Sequence, residues 1–262
     1  MQVTIQPVQV MPQEKLDIIY QDDHYVAINK PAGLLVHPSI IDKHEPDNAL
    51  HILQDQIQQP AYMIHRLDKP TSGVLIFGLN SDAARKCVAA FTAGDVRKTY
   101  LAVVRGYVDN HQIIDHPLKS VPDKIMRGRE KQNKAPKPAL THIRQLAQVE
   151  LPIAVGRYPT SRYSLVEAHP KTGKMHQIRR HLKHIRHPVI GDTKYGDPLH
   201  NRYFREKWNA YRLLLASTEI EFIHPFTSSK VRISASLDPL FASILSAWDW
   251  LRIIPDSWLT KT

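Results

Sequence analysis

The 262-residue chain is poor in several features, and each shortage removes a class of protein. It carries one cysteine, Cys87, and no CxxC, so an intramolecular disulfide and a zinc-finger site are excluded and a reducing cytoplasm is the expected compartment. No stretch approaches the length of an apolar membrane span. The opening Met1-Gln2-Val3-Thr4-Ile5-Gln6-Pro7 lacks the basic head and apolar run of a secretory leader. Neither secretion nor membrane insertion is expected. With no internal repeat and no long linker, the expectation is a single domain over 1–262, divided no more sharply than into 1–104 and 105–262. Carboxylates are also in deficit: 25 Asp and Glu face 35 Lys and Arg, giving a formal charge of +10 before any of the 15 histidines protonates. Such a surface suits a polyanionic partner.

What is present supports a substantial core, since 42% of residues are hydrophobic. Ile18-Ile19-Tyr20 and Tyr25-Val26-Ala27-Ile28 flank the polar Gln21-Asp22-Asp23-His24 and predict a hairpin. Ser81 is the expected cap of a helix through Ala93, in which Ala84, Cys87, Val88 and Phe91 recur at helical spacing before Gly94 stops it. Thr99 to Val104 predicts a strand with Tyr100, Ala102 and Val104 on one face and Leu101 and Val103 on the other. Further strands are expected at 141–143, 163–167, 213–216, 220–222 and 231–233. A closing helix over 240–251, packed by Trp248 and Trp250, should end before Pro255. The span Asp123–Pro138, with six basic and two acidic residues and two prolines, is expected to be an exposed loop. Helices and strands interleave without regular βαβ spacing. The expected fold is therefore α+β: a mixed, mostly antiparallel central sheet flanked by helices and loops, with a cleft between two sub-halves.

The passage richest in chemistry is His65-Arg66-Leu67-Asp68-Lys69-Pro70-Thr71-Ser72-Gly73, which presents a carboxylate on a polar turn just before the apolar run Val74-Leu75-Ile76-Phe77. A charge at the edge of a buried strand needs a partner. The segment from Lys171 to Pro188 offers one, for it holds six Lys or Arg and no acidic residue. Helical spacing places Met175, Ile178, Leu182 and Ile185 on one face and His176, Arg180, Lys183 and His187 on the opposite one, with Arg179 at the border. Uncompensated like charges along such a helix repel, and a phosphate backbone lying against them would relieve the conflict. A border arginine can also reach inward as a carboxylate partner, which makes Arg179 the candidate mate of Asp68. His176, His181, His184 and His187 scatter around the helix without acidic or cysteine ligands, so no metal site is expected.

Four passages, in order, resemble the RluA-type pseudouridine synthases. They are Asn29-Lys30-Pro31-Ala32-Gly33-Leu34 with Val36-His37, the block from His65 to Gly73, the block from Lys98 to Gly106, and Thr172-Gly173-Lys174-Met175-His176-Gln177-Ile178-Arg179 running on to Gly191-Asp192-Thr193-Lys194-Tyr195-Gly196. The likeness is strongest to members acting at position 65 of tRNA, through the 151–163 segment and the 180–187 continuation. By that resemblance Asp68 is the catalytic aspartate, Tyr100 the ring stacked on the target uracil and Arg179 the arginine paired with Asp68. Leu213 or Leu214 would close the pocket, and Arg66 would fill the space left by a flipped base. Lys174 stands where relatives usually carry Arg, and Ala216-Ser217 replaces the commoner His-Ala. Lys174, His176, Arg180 and Lys183 are expected to bind substrate RNA. The family implies a tRNA partner, with ribosomal RNA as the alternative, no cofactor, no metal, and a monomer. No separate RNA-binding module is expected before Leu16, so recognition would fall to the catalytic body and loops such as Lys124–Lys137.

The residue types suit that chemistry independently. Breaking the bond from N1 to the sugar and rejoining the sugar at C5 is redox-neutral and needs only a nucleophile or base in a closed pocket. An ionised carboxylate can attack the sugar or the ring, or take a sugar proton, and an adjacent arginine opposes the desolvation that would neutralise it. Taken singly, each residue has a plainer reading. Asp68 could cap its own turn, Tyr100 could be core, and Arg179 could be one more helix cation. A basic RNA-binding protein without activity is the corresponding alternative for the whole chain.

Overall fold

The computed structural model describes residues 15–37, 48–120 and 135–259. The predicted hairpin forms as β1 (Asp17–Gln21) and β2 (Tyr25–Lys30), paired antiparallel. There follow α1 (Ala49–Ile57), β3 (Tyr62–Met63), β4 (Ser72–Gly78), α2 (Ser81–Ala93), β5 (Arg97–Arg105), β6 (His111–Asp115), β7 (Leu140–Leu151) and β8 (Ser161–Pro170). The chain closes with α3 (Gln177–His184), α4 (Pro198–Trp208), β9 (Leu215–Ile223), β10 (Lys230–Ser234) and α5 (Pro239–Ala247). Of the basic segment Asp123–Pro138, residues 123–134 lie outside the described residues. Among those described, Lys137 exchanges main-chain hydrogen bonds with Leu118.

Four local expectations need correction, the first being the closing helix, which stops at Ala247 instead of Leu251 and leaves Trp248 and Trp250 beyond its end. The cap of α2 is Asn80, not Ser81, because the Asn80 side chain accepts from the Ala83 amide at 2.8 Å and leaves Ser81 in the first turn. The strands expected at 213–216 and 220–222 are one strand, β9. Ser217 and Thr218 interrupt the apolar pattern but are fully buried and keep their place between neighbouring strands. Helix α3 begins at Gln177, so Met175 is left outside it and 43% exposed instead of on the apolar face. Ile178 and Leu182 keep that face, buried against the sheet.

The sheet runs β1-β2-β4-β9-β5-β8-β7-β6, with β10 beside β9 and β3 beside β4. Every pairing is antiparallel except β4 with β9, which meet in parallel over Ser72↔Ala216 and Gly73↔Ser217. This short seam joins two sub-sheets. Gly73 is required there: its φ is 108°, and a Cβ would overlap the Ser217 carbonyl.

Alternation along the strands builds a core on each side. On one side Leu101, Val103, Tyr163 and Leu165 pack on Phe204 of α4, Phe241 and Leu245 of α5, and Trp250 and Trp258 beyond it. On the other, Ala102, Val104, Val166 and Ala168 meet Ile178 and Leu182 of α3. The two faces expected of β5 are thus the observed ones. Val26, Ile28, Leu75 and Phe77 meet Leu53 of α1, while Ala27, Val74 and Ile76 meet Cys87 of α2. Burial pushes the Cys87 thiol up to about 12, so it is an inert core residue. Among the described residues no helix is long and apolar enough to cross a membrane.

Candidate active site

The turn that carries Asp68 is closed by main chain, not by its carboxylate. The Thr71 amide donates to the Asp68 carbonyl at 2.9 Å, and the Gly33 amide to the Lys69 carbonyl at 2.9 Å. Lys30, at the end of β2, fastens the same turn from beneath: its Nζ donates to the carbonyls of Pro31 (2.8 Å), Leu34 (2.9 Å) and Lys69 (3.1 Å). Three acceptors match the three N–H bonds of an ammonium, whereas a neutral amine has only two. Burial, aided by the Arg212 charge and opposed by Asp68, lowers Lys30 to about 7. Lys30 is a positioning residue that sequence reasoning left unassigned. A lysine closing the strand that opens with the apolar run Tyr25-Val26-Ala27-Ile28 was the available signal.

The carboxylate itself faces Arg179. Nη1 of Arg179 donates to Asp68 Oδ2 at 3.0 Å across 111 residues of sequence, and their side chains are 6% and 23% exposed. The rest of the guanidinium belongs to Asp192, which accepts from Nε at 2.7 Å and from Nη2 at 2.8 Å. Asp192 has a fully buried side chain, and its Oδ1 also accepts from the amides of Lys194 and Tyr195, both at 2.9 Å. Burial works against the Arg179 charge, yet hydrogen bonds and charges from Asp192 and then Asp68 outweigh it and raise its proton affinity. At Asp192 the same partnership overcomes burial and keeps the carboxyl below its ordinary range. The sequence reading missed this second carboxylate. A fork of five donors aimed inward needs more than one partner, and Asp192 is the first carboxylate downstream of Arg179.

Tyr100 projects from β5 on the α3 side of the sheet, packed against both the Val104–Leu182 and the Ile28–Leu75 clusters, and so bridges the two sub-sheets. Burial, with the Asp68 charge adding to it, pushes its phenol up to about 12. Leu213 belongs to the same cluster as Tyr100, together with Leu215. Leu214 does not: it faces Phe204 and Phe241 on the opposite side, because neighbours in extended chain point apart. Of the two expected pocket-closing leucines, only Leu213 is on this face.

His176 departs from its expected place on the outward helix face. It precedes α3 with φ 54°, a left-handed conformation that costs a non-glycine residue about 1–2 kcal/mol, and its side chain makes no helix cap. Instead Nδ1 lies 2.9 Å from the Tyr195 hydroxyl and Nε2 lies 3.8 Å from Asp68 Oδ1, with the side chain 13% exposed. Burial holds His176 below the usual histidine range, against the Asp68 charge. The other expected substrate contacts are on the surface. Arg66 and Lys183 are exposed, and Lys174 and Arg180 are half-buried, with Arg180 Nη1 3.5 Å from the Met175 carbonyl. Gln177 holds the approach to α3 by accepting from the Lys174 amide at 3.0 Å and donating to Leu140 and Thr141. His181 is fully buried, within hydrogen-bond distance of Thr141 Oγ1 and the His116 carbonyl. Among the described residues no group of three or more His, Cys, Asp or Glu is arranged to hold a metal.

A clamped carboxylate, an arginine shared with a second carboxylate and an aromatic ring near enough to feel the first carboxylate's charge can perform nucleophilic or proton-transfer chemistry on a planar base. Residues 24–184 match the model of the RNA pseudouridylate synthase family, and the chain belongs to that family. It is 50% identical over 236 residues to "tRNA pseudouridine synthase C" of Haemophilus ducreyi, covering 90% of this chain and 97% of the relative. The Vibrio cholerae protein of the same name is 48% identical over 235 residues, covering 90% and 96%. The solved structure of human RNA Pseudouridylate Synthase Domain Containing 4 superposes with a TM-score of 0.67 at 25% identity, covering 91% of this chain and 94% of that one. The mixed sheet with flanking helices is the pseudouridine synthase fold.

Proposed function

We propose that this protein isomerises one uridine of tRNA, at position 65, to pseudouridine. The observation that carries the reading is the Asp68 carboxylate held by Arg179 and close enough to Tyr100 for its charge to act on the phenol. The choice of tRNA is supported by relatives that match it over nearly their whole length and bear that substrate in their names. Asp68 is the group that engages the sugar or base, Arg179 pairs with it and aims it, and Tyr100 is the platform under the uracil. A stacked uridine cannot reach such a cleft, so the nucleotide leaves the helix, and Arg66 occupies the vacated space. Leu213 borders the pocket, while Lys174, Arg180 and Lys183 line the approach of the RNA and His176, turned inward, faces Asp68. The isomerisation conserves every atom and exchanges no electrons, so it calls for no cofactor. The buried thiol of Cys87 suits a reducing compartment, the cytoplasm.

Mapping pseudouridine in total RNA from cells with and without the gene tests the reading. Loss of one mark in a tRNA stem, at position 65, is expected. Loss confined to ribosomal RNA would replace the substrate, and no loss anywhere would leave a basic RNA-binding protein.

A further inference from the structure

Asp68 presents two oxygens, and the pairing with Arg179 accounts for only one. Oδ2 is bound by Nη1 of Arg179, while Oδ1 is faced by Nε2 of His176 at 3.8 Å. The imidazole is held from behind by Tyr195, whose hydroxyl is 2.9 Å from Nδ1. Tyr195 is itself a fixed post: its amide donates to Asp192 at 2.9 Å, and its ring lies 5.2 Å from the Arg179 guanidinium carbon. The three side chains come from three elements, the 68–71 turn, the start of α3 and the 192–195 loop. They converge although His176 must adopt a left-handed backbone and forgo capping its helix. A conformation that disfavoured, with no local compensation, marks a side chain held in place by its surroundings.

We infer that His176 is a positioning residue for the reacting carboxylate, with Tyr195 selecting its tautomer. If Nδ1 bore the hydrogen, the lone pair of Nε2 would face a carboxylate. With the Tyr195 hydroxyl donating to Nδ1, the hydrogen is on Nε2 and points at Oδ1. Arg179 and His176 then hold the carboxylate plane from both of its oxygens. The gap of 3.8 Å is wider than a hydrogen bond, so Oδ1 keeps a lone pair open to substrate while its direction is constrained. Protonated His176 would instead attract Oδ1 as an ion-pair partner and withdraw it. The groups facing the imidazole are Asp68, Asp192, Arg179, Lys194 and the Tyr195 hydroxyl. Burial, together with the two cations, keeps it neutral against the two carboxylates.

The inference rests on Asp68 being the reacting group, and the test separates the two. Purified full-length protein is assayed in single-turnover reactions on transcribed tRNA, as His176→Asn, His176→Gln, Tyr195→Phe and Asp68→Asn. Asparagine tolerates the left-handed backbone but cannot reach Asp68, whereas glutamine places an amide N–H where Nε2–H was. The expected result for His176→Asn is a loss of about tenfold in the rate constant, with tRNA affinity unchanged. His176→Gln should recover most of that loss, and its rate should no longer fall with acid where that of the unsubstituted protein does. Tyr195→Phe should lie between. Equal rates for the Asn and Gln variants, or a loss confined to tRNA affinity, would overturn the role of His176. Retained activity in Asp68→Asn would overturn the reading of Asp68 itself.

Discussion

Asp192 occupies Nε and Nη2 of Arg179 and leaves only Nη1 for Asp68. The two carboxylates therefore have different work. Asp192, with no exposed side-chain surface, fixes the guanidinium; Asp68, partly open to the cleft, is what the guanidinium is fixed for. Removing one partner of a buried ion pair leaves an uncompensated charge and costs about 3–5 kcal/mol. Asp192→Asn should lower the unfolding free energy by an amount on that scale, seen as a lower denaturation midpoint, and reduce activity together with it. Chemical denaturation with an unchanged m-value is the check, and full stability in the variant would remove Asp192 from the support of Arg179.

Asp68→Asn should behave in the opposite way. On the role proposed for Asp68 the substitution removes the carboxylate without touching the basic surface, so product formation should be abolished while the dissociation constant for tRNA stays within about twofold. Filter binding beside a pseudouridine assay reads both. Affinity falling in parallel with activity would make Asp68 a structural residue.

Lys30 gives a pH signature. Its ordinary value is 10.5 and burial lowers it to about 7, so between those values the unfolded chain binds more protons than the folded one. Stability from this group therefore rises with pH across that window and the penalty is complete below it. Above about pH 10 the buried tyrosines, whose phenols are raised, act in the reverse sense, so the useful range is about pH 7.5 to 9.5. Lys30→Met should be less stable overall, because the carbonyls of Pro31, Leu34 and Lys69 lose the amine that donates to them, and its stability should vary less with pH. An unchanged slope in urea melts across that range would show that Lys30 does not titrate there.

The outer face of α3 is tested by salt. Replacing Arg180 and Lys183 with neutral residues should weaken tRNA binding broadly and reduce the slope of log affinity against log salt by about one unit for each lost phosphate contact. A slope equal to that of the unsubstituted protein would take this helix out of the interface.

Much of this architecture is legible in local pattern. The β1–β2 hairpin, α2 up to Gly94, and the alternation of Tyr100, Ala102 and Val104 against Leu101 and Val103 all follow from period and capping, which depend on residues a few positions apart. Asp68 and Arg179 could be matched because an unpaired charge at a strand edge and an inward-facing cation each require a partner. Where the chemistry was long-range and polar, pattern failed. Ser217-Thr218-Glu219 breaks the apolar run of β9 yet is buried between β5 and its other neighbours, so one strand reads as two. Asp192 and Tyr195 lie in a short loop with no periodicity, and nothing local indicates that they face Arg179 and His176. The inward turn of His176 depends on a left-handed backbone that a helical wheel cannot represent.

The stretch from Arg212 to Ser217 is gripped by two glycines. Gly73 abuts the Ser217 carbonyl and Gly191 the Arg212 carbonyl, each so closely that a methyl group would collide with main chain. One of these glycines follows the Asp68 turn and the other immediately precedes Asp192, while the Arg212 side chain reaches Ser72 at 3.0 Å and pairs with Asp238. A single length of peptide thus works as a gauge block between the two acidic loops, setting their spacing by bond lengths. Drift in the surrounding side chains can retune the mouth of the cleft without moving the span that one guanidinium must bridge.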